Sequence, residues 1–305
     1  MEEFEPQIEL SLNSSKGGFA YSAAAVFMIF VTLIFSVILS AVPKYGYAYW
    51  FLSFIGSPIA IAGSVAFTLK AKKLNYKQIF PVKCHPKYYF IGILLVFGLF
   101  FSLNQINSLI LSLFNIEESE SSLKLDEFIM GLNGGWVVLA LIVIAVLPAF
   151  FEEVLFRGTI LNNCNENVGG LRSIFIVGLV FSLYHGSPEQ TVYQFLAGCL
   201  FAFVAIRSGS IIPGIIMHFL NNALVIVLAS CGAISADGYF FNKGAHIALM
   251  VVGAVALAAG LFLLIFDKNK LKPYTKGSVK SFFVPASVGI IILAIVWIVN
   301  LVVLF

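Results

Sequence analysis

The sequence predicts an all-α fold, a polytopic transmembrane helix bundle of eight or nine spans with its site residues on the central spans. Three observations predict it. The chain of 305 residues is 60% hydrophobic and only 11% charged, with a mean hydropathy of +0.99, whereas soluble domains carry about 25% charged residues. Its apolar runs are long enough for helices of roughly 20 residues. No segments of about ten alternating residues suggest a membrane barrel.

Taken in order, residues 1–18 read as a polar cytoplasmic tail. Glu2, Glu3, Glu5 and Glu9 make its start acidic, where a cleavable signal peptide starts basic, so the first apolar run should stay as an anchor. A single transmembrane domain is expected over 19–305, with spans at 19–42, 48–69, 88–114, 135–164, 171–186, 190–207, 211–230, 245–266 and 282–305. The fifth is short, and Gly186-Ser187-Pro188 could make the fifth and sixth one broken unit, hence eight or nine. Cys84, Cys164, Cys199 and Cys231 show no paired spacing and read as small apolar residues. No internal repeat is visible.

Basic residues give the orientation. Lys70, Lys72, Lys73, Lys77, Lys83 and Lys87 crowd one loop, and Lys268, Lys270, Lys272, Lys276 and Lys280 another. Nine alternating spans put both loops on one side with Lys16, Arg172 and Arg207, leaving Lys44, Lys124 and Lys243 opposite. The amino terminus and both lysine-rich loops are therefore expected in the cytoplasm. The acidic loop with Glu117, Glu118, Glu120, Asp126 and Glu127 falls outside and reads as a solvated connection. The net charge of +3 says little about partners, and no nucleic acid is expected.

The chain is organised around Pro148 to Arg157, where Glu152, Glu153 and Arg157 interrupt a membrane span. Charges at membrane depth are expensive and mark function by default. Glu153 and Arg157 stand at i and i+4 and can pair on one helix face, while Glu152 lies about 100° away with no partner in its own helix. Pro148 removes one backbone hydrogen bond four residues before Glu152 and should kink the helix. His85 falls in a basic loop and His246 at a span edge, but His185 and His218 are embedded in apolar sequence, and Asn222 shares the face of His218 at i+4. At about 1.5 Å per residue, Glu152, His185, His218 and Asn222 reach depths of roughly 18, 21, 11 and 17 Å, compatible with convergence near mid-membrane.

Two chemistries suit these residue types. A carboxylate and an imidazole can hold and deprotonate a water, with a second imidazole and an amide donating to an oxyanion. Alternatively, Glu152, His185 and His218 supply the three protein ligands of a catalytic zinc. Singly, each residue has a plainer role: a packing histidine, an interhelical asparagine, a structural ion pair. Embedded Glu and His also serve proton- or ion-coupled transporters, although the repeats usual there are absent.

The pattern Glu152-Glu153-x-x-x-Arg157, Phe181-x-x-x-His185 and His218-x-x-x-Asn222 resembles the three-motif signature of the CAAX prenyl protease and bacteriocin-processing family of intramembrane endopeptidases. The resemblance covers about residues 135–230. It implies peptide-bond hydrolysis of a membrane-associated peptide or protein, prenylated or bacteriocin-like, in a cavity opening to the cytoplasmic side of the lipid bilayer. Glu152 and His185 become the water-activating pair, His218 and Asn222 the oxyanion or metal-site residues, and Glu153 with Arg157 the supporting pair. Members have been described both as metalloproteases and as metal-independent glutamate proteases, so zinc is an open expectation. A bacterial cytoplasmic membrane is the expected location. A non-catalytic bacteriocin self-immunity protein is the remaining alternative.

Overall fold

A computed structural model describes residues 12–116, 118–234, 239–271, 273 and 278–304. Among the described residues, nine apolar helices build it: α1 (Ser14–Leu39), α2 (Tyr47–Ala71), α3 (Lys87–Leu113), α4 (Gly135–Val168), α5 (Gly170–Tyr184), α6 (Thr191–Ser208), α7 (Ile212–Ser230), α8 (Lys243–Ile265) and α9 (Ser278–Val303). Eight are long and apolar enough to cross a membrane. The ninth, α5, has 15 residues, about 22 Å against a hydrocarbon core of about 30 Å. This helix is where the eight-or-nine ambiguity lies. Its two ends meet opposite ends of the bundle: Gly170 lies against Leu271 in the α8–α9 loop, and Asn300, late in α9, donates to the Gly186 carbonyl.

The two ends of the molecule are fastened differently. At the lysine-rich end, Lys87 pairs with Asp267 at 2.7 Å. Arg207 donates to the carbonyls of Asn269 and Ile265, and Asn269 donates to Tyr88. At the acidic end, Glu189 accepts from Ser119 N at 2.7 Å and Ser122 Oγ at 2.6 Å, and Asn107 donates to the Glu189 carbonyl. Trp297 donates to Thr191. The helix ends named here thus sort into a lysine-rich end and an acidic end of the bundle.

The first boundary and the acidic loop differ most from expectation. Helix α1 starts at Ser14 rather than 19, because Asn13 caps it by accepting from Lys16 N and because Asn163 and Asn167 take the Asn13 and Ser14 amides. Residues 1–11 of the expected tail lie outside the described residues, as do Glu117 of the acidic loop and Lys272 and Lys276 of the second basic loop. The acidic loop is also more than a solvated connection. It folds a helix, Glu120–Met130, capped by Ser119 and laid across the bundle end through Leu125 and Ile129.

Close approach at the α1–α9 crossing depends on small residues, the usual membrane solution. A Cβ on Gly18 would stand 2.2 Å from the Phe282 carbonyl, and one on Gly289 would stand 2.8 Å from Ser22 Cα. Among the described residues, the most extensive buried cluster surrounds the middle of α4, where Leu155, Phe156 and Ile160 pack with Val177, Phe181 and Ala202.

Candidate functional site

Helix α4 is not uniform. An α-helical segment, Leu147–Glu153, carries both glutamates between two π-helical stretches, Leu141–Val146 and Val154–Leu161. Widened turns of this kind often occur at functional sites. Pro148 cannot donate to the carbonyl four residues back, that of Ile144. That carbonyl accepts from Asn222 Nδ2 at 3.2 Å. The second wide turn lets Thr159 Oγ1 reach the Val154 carbonyl five residues earlier.

Glu153 and Arg157 form the expected ion pair, at 2.6 Å and fully buried. The guanidinium also donates to the Gly198 carbonyl at 3.1 Å and lies over the rings of Phe181 and Phe201, 4.6 and 5.2 Å from their centroids. The same Glu153 oxygen lies 3.2 Å from His218 Nδ1. Glu153 therefore does more than neutralise Arg157: it also orients a histidine of another helix. Gly214, in the first turn of α7, makes room for it, since a Cβ there would stand 2.5 Å from Glu153 Oε2.

Glu152 faces the other way, as its helical phase requires. Its Oε2 is 3.7 Å from His185 Nε2 and 3.9 Å from His218 Nε2. His185 caps the end of α5, with Nδ1 2.8 Å from the Phe181 carbonyl and its ring edge-on to Phe181. The Phe181-x-x-x-His185 spacing thus has a local reason: the phenylalanine supplies both the carbonyl and the ring that hold the imidazole. Both histidines engage their Nδ1 atoms with oxygen acceptors, which directs both Nε2 atoms toward Glu152. Three atoms that accept protons or bind metals converge, and Glu152 Oε2 is buried without a hydrogen-bond partner. An orphaned buried carboxylate oxygen calls for a proton, a water or a cation.

Zinc can be tested against this geometry. The donor types are right, and both imidazoles have the outer hydrogen bonds usual for zinc ligands. The spacing is wider than a tetrahedral ion draws its ligands, about 3.3 Å apart for bonds of about 2.05 Å. Among the described residues no group of His, Cys, Asp and Glu has the arrangement of a metal site.

A cavity of about 360 Å³ covers the cluster, and Glu152, His185, His218 and Asn222 all line it. Its other walls are Met28, Ser53, Phe54 and Ser57 from α1 and α2, and Leu125, Ile129, Gln190, Gln194, Val225 and Ile226 from the acidic end. The cavity runs from Glu152 toward the acidic loop. That loop lies at the end of the bundle opposite the lysine-rich loops.

Residues 134–224 match the family model described as type II CAAX prenyl endopeptidase Rce1-like. This is the family group that the three motifs resemble. No curated protein and no solved structure gives a match. The matched stretch begins with α4 and ends within α7, so it contains every residue of the cluster.

Sequence reasoning missed four polar residues of the core. Tyr193 donates to Asn221 Oδ1, and Asn221 Nδ2 donates to Asn222 Oδ1 at 3.3 Å. Gln190 and Gln194 line the cavity beside them. Their signal in the sequence was the amides themselves, spaced by one turn at 190 and 194 and adjacent at 221 and 222, in otherwise apolar surroundings. His246 stacks on Phe240 and accepts from its amide, and His85 accepts from Lys87 N. Neither histidine belongs to the site.

Proposed function

We propose that the protein is an intramembrane endopeptidase that cleaves a membrane-associated peptide or protein in the cavity above Glu152. The observation that carries this reading is the convergence of Glu152 Oε2, unpartnered and buried, with two imidazoles whose Nδ1 atoms are already engaged. The family match over 134–224 supports the same class.

In this reading one water bridges Glu152 Oε2 and His185 Nε2, which at 3.7 Å are spaced for two hydrogen bonds to one molecule. Glu152 takes a proton as the water oxygen attacks the peptide carbonyl. His218, held at Nδ1 by Glu153, donates through Nε2 to the oxyanion. The Asn222 amide, which has a second hydrogen beyond the one given to Ile144, donates beside it. The C–N bond then breaks, and the proton held by Glu152 passes to the departing amine. Water has added across the bond and no charge has been lost.

A second version rests on donor type alone, with zinc on Glu152, His185 and His218, whose side chains would first have to close in by a few tenths of an ångström. Bound there, zinc would acidify a water and polarise the carbonyl.

The test is cleavage of a membrane-peptide library by purified protein, wild type against Glu152→Ala, with and without a zinc chelator. Loss of about 10² to 10⁴-fold in turnover is expected for the variant. Unchanged turnover sinks the mechanism, and chelator sensitivity selects the zinc version. A folded wild type that cleaves nothing returns weight to the transporter and immunity readings.

A further inference from the structure

The catalytic cavity does not end at its own walls. A second cavity of about 390 Å³ adjoins it, and Leu125, Gln190, Gln194, Asn222 and Val225 line both. The two differ in chemistry. Hydrophobic side chains such as Met28, Phe54, Ile129 and Ile144 wall much of the first. The second presents the carboxylates of Glu118, Asp126 and Glu189 and the amides of Asn104, Asn107 and Asn221. Among the described residues, no lysine, arginine or histidine lines it.

The three carboxylates are not equivalent. Glu189 is committed to the fold, because its two oxygens fasten Ser119 and Ser122 and so anchor the helix Glu120–Met130. Glu118 and Asp126 are exposed on the cavity wall. The Asp126 carboxyl is held above the ordinary range, first by lost hydration and then by the charges of Glu118 and Glu189. Like charges gathered on one wall are relieved by an arriving cation. The second cavity also leads somewhere: Asn222 forms part of its wall and of the catalytic wall, and beyond it lies the unpartnered oxygen of Glu152, where a ligand's reacting group is wanted.

We infer that the second cavity is a specificity subsite for a cationic side chain, lysine or arginine, near the scissile bond of the peptide that reaches Glu152. The inference rests on the endopeptidase reading and names the substrate class that the site selects. The apolar cavity takes the hydrophobic flank of such a peptide, and Glu118 and Asp126 take its charge. Asn222, between the two, stays with the reacting carbonyl.

Binding separates this proposal from catalysis. Glu152→Ala protein in phosphatidylcholine nanodiscs is titrated with two labelled apolar peptides, identical except for one central lysine or norleucine. The lysine peptide is expected to bind about tenfold tighter, and raised salt should narrow the gap as ions screen the charges. Adding Glu118→Gln and Asp126→Asn, both on exposed positions, should bring the two peptides within about twofold. Equal binding in the starting protein, or a lysine preference that survives both substitutions, overturns the subsite. The same peptides are offered to wild-type protein for cleavage. A lysine preference in binding with neither peptide cleaved keeps the subsite and rejects the endopeptidase reading.

Discussion

Asn222 holds the carbonyl that Pro148 leaves free. Its Nδ2 lies 3.2 Å from the oxygen of Ile144, four residues before a proline with no hydrogen to donate. A helix defect on α4 and an amide on α7 thus fix each other, and the amide comes to rest on the wall of the cavity that holds Glu152. Asn222→Ala should cost stability as well as turnover. Orphaning a buried carbonyl costs about 1–3 kcal/mol and this part-buried one should lie at the low end, and loss of an oxyanion donor costs about 10² to 10³-fold in kcat. Pro148→Ala restores the missing donor. The double variant should recover part of the stability of Asn222→Ala and none of its turnover. Additive losses of thermal midpoint in the four-protein cycle would show that the two residues are uncoupled.

Gly214 gives a cleaner probe of the second glutamate. A methyl group there would meet Glu153 Oε2 at 2.5 Å, and this oxygen belongs to a side chain already gripped by Arg157 and His218. Gly214→Ala should displace the carboxylate and, with it, the His218 ring. Turnover should fall at least about tenfold, since small misplacements of catalytic groups are costly. Helix content should not change, because alanine is the better helix former. An alanine variant with wild-type turnover would mean that the Glu153–His218 contact is dispensable.

The residues of the cluster were legible because each breaks an apolar run. Glu152, Glu153 and Arg157 stand out by charge, His185 and His218 by polarity at membrane depth, and helical phase alone separated the roles of the two glutamates. What surrounds them was not legible. The wide turns at Leu141–Val146 and Val154–Leu161 leave no mark on an apolar sequence. Nothing in the sequence ties Asn221 and Tyr193 to the site until the chain of hydrogen bonds to Asn222 is seen. The short helix Glu120–Met130 looked like a polar loop because its charges outnumber the few residues that it turns inward. Helix α5 stayed ambiguous for a physical reason: its 15 residues are short for a span, and only with His185 and the following turn does the segment reach Asn300 near the end of α9.

Arg157 should prove to be a stabilising residue whose loss is felt in catalysis. It is fully buried, and it satisfies Glu153 and the Gly198 carbonyl while lying between Phe181 and Phe201. Arg157→Ala leaves a buried carboxylate short of its cation, a change that typically costs about 3–5 kcal/mol. Arg157→Lys keeps the charge but not the planar fork or the stacking, and should fall between. Replacing the pair together, Glu153→Leu with Arg157→Met, should recover much of the lost thermal midpoint, because the burial cost of both charges disappears. It should not recover turnover, since His218 Nδ1 would have no carboxylate. Activity in that stable double variant would reduce the pair to a packing role.

Two native thiols can decide which way the molecule faces. Cys84 lies in the α2–α3 loop at the lysine-rich end, and the exposed Cys231 follows α7 at the acidic end, the end toward which the cavity extends. Cys164 is buried, and Cys199 is half-buried within α6. The lysine distribution predicts that a membrane-impermeant maleimide added outside sealed cells labels Cys231 and spares Cys84. The cavity would then receive its substrate from the outer side or laterally from the bilayer, and a carrier-borne cytoplasmic peptide would not reach it. Labelling of Cys84 from outside instead would overturn the orientation drawn from the lysines and return the cavity to the cytoplasmic side. The two outcomes are read on one wild-type protein, with Cys231→Ser and Cys84→Ser assigning each label. Neither substitution touches a residue of the cluster.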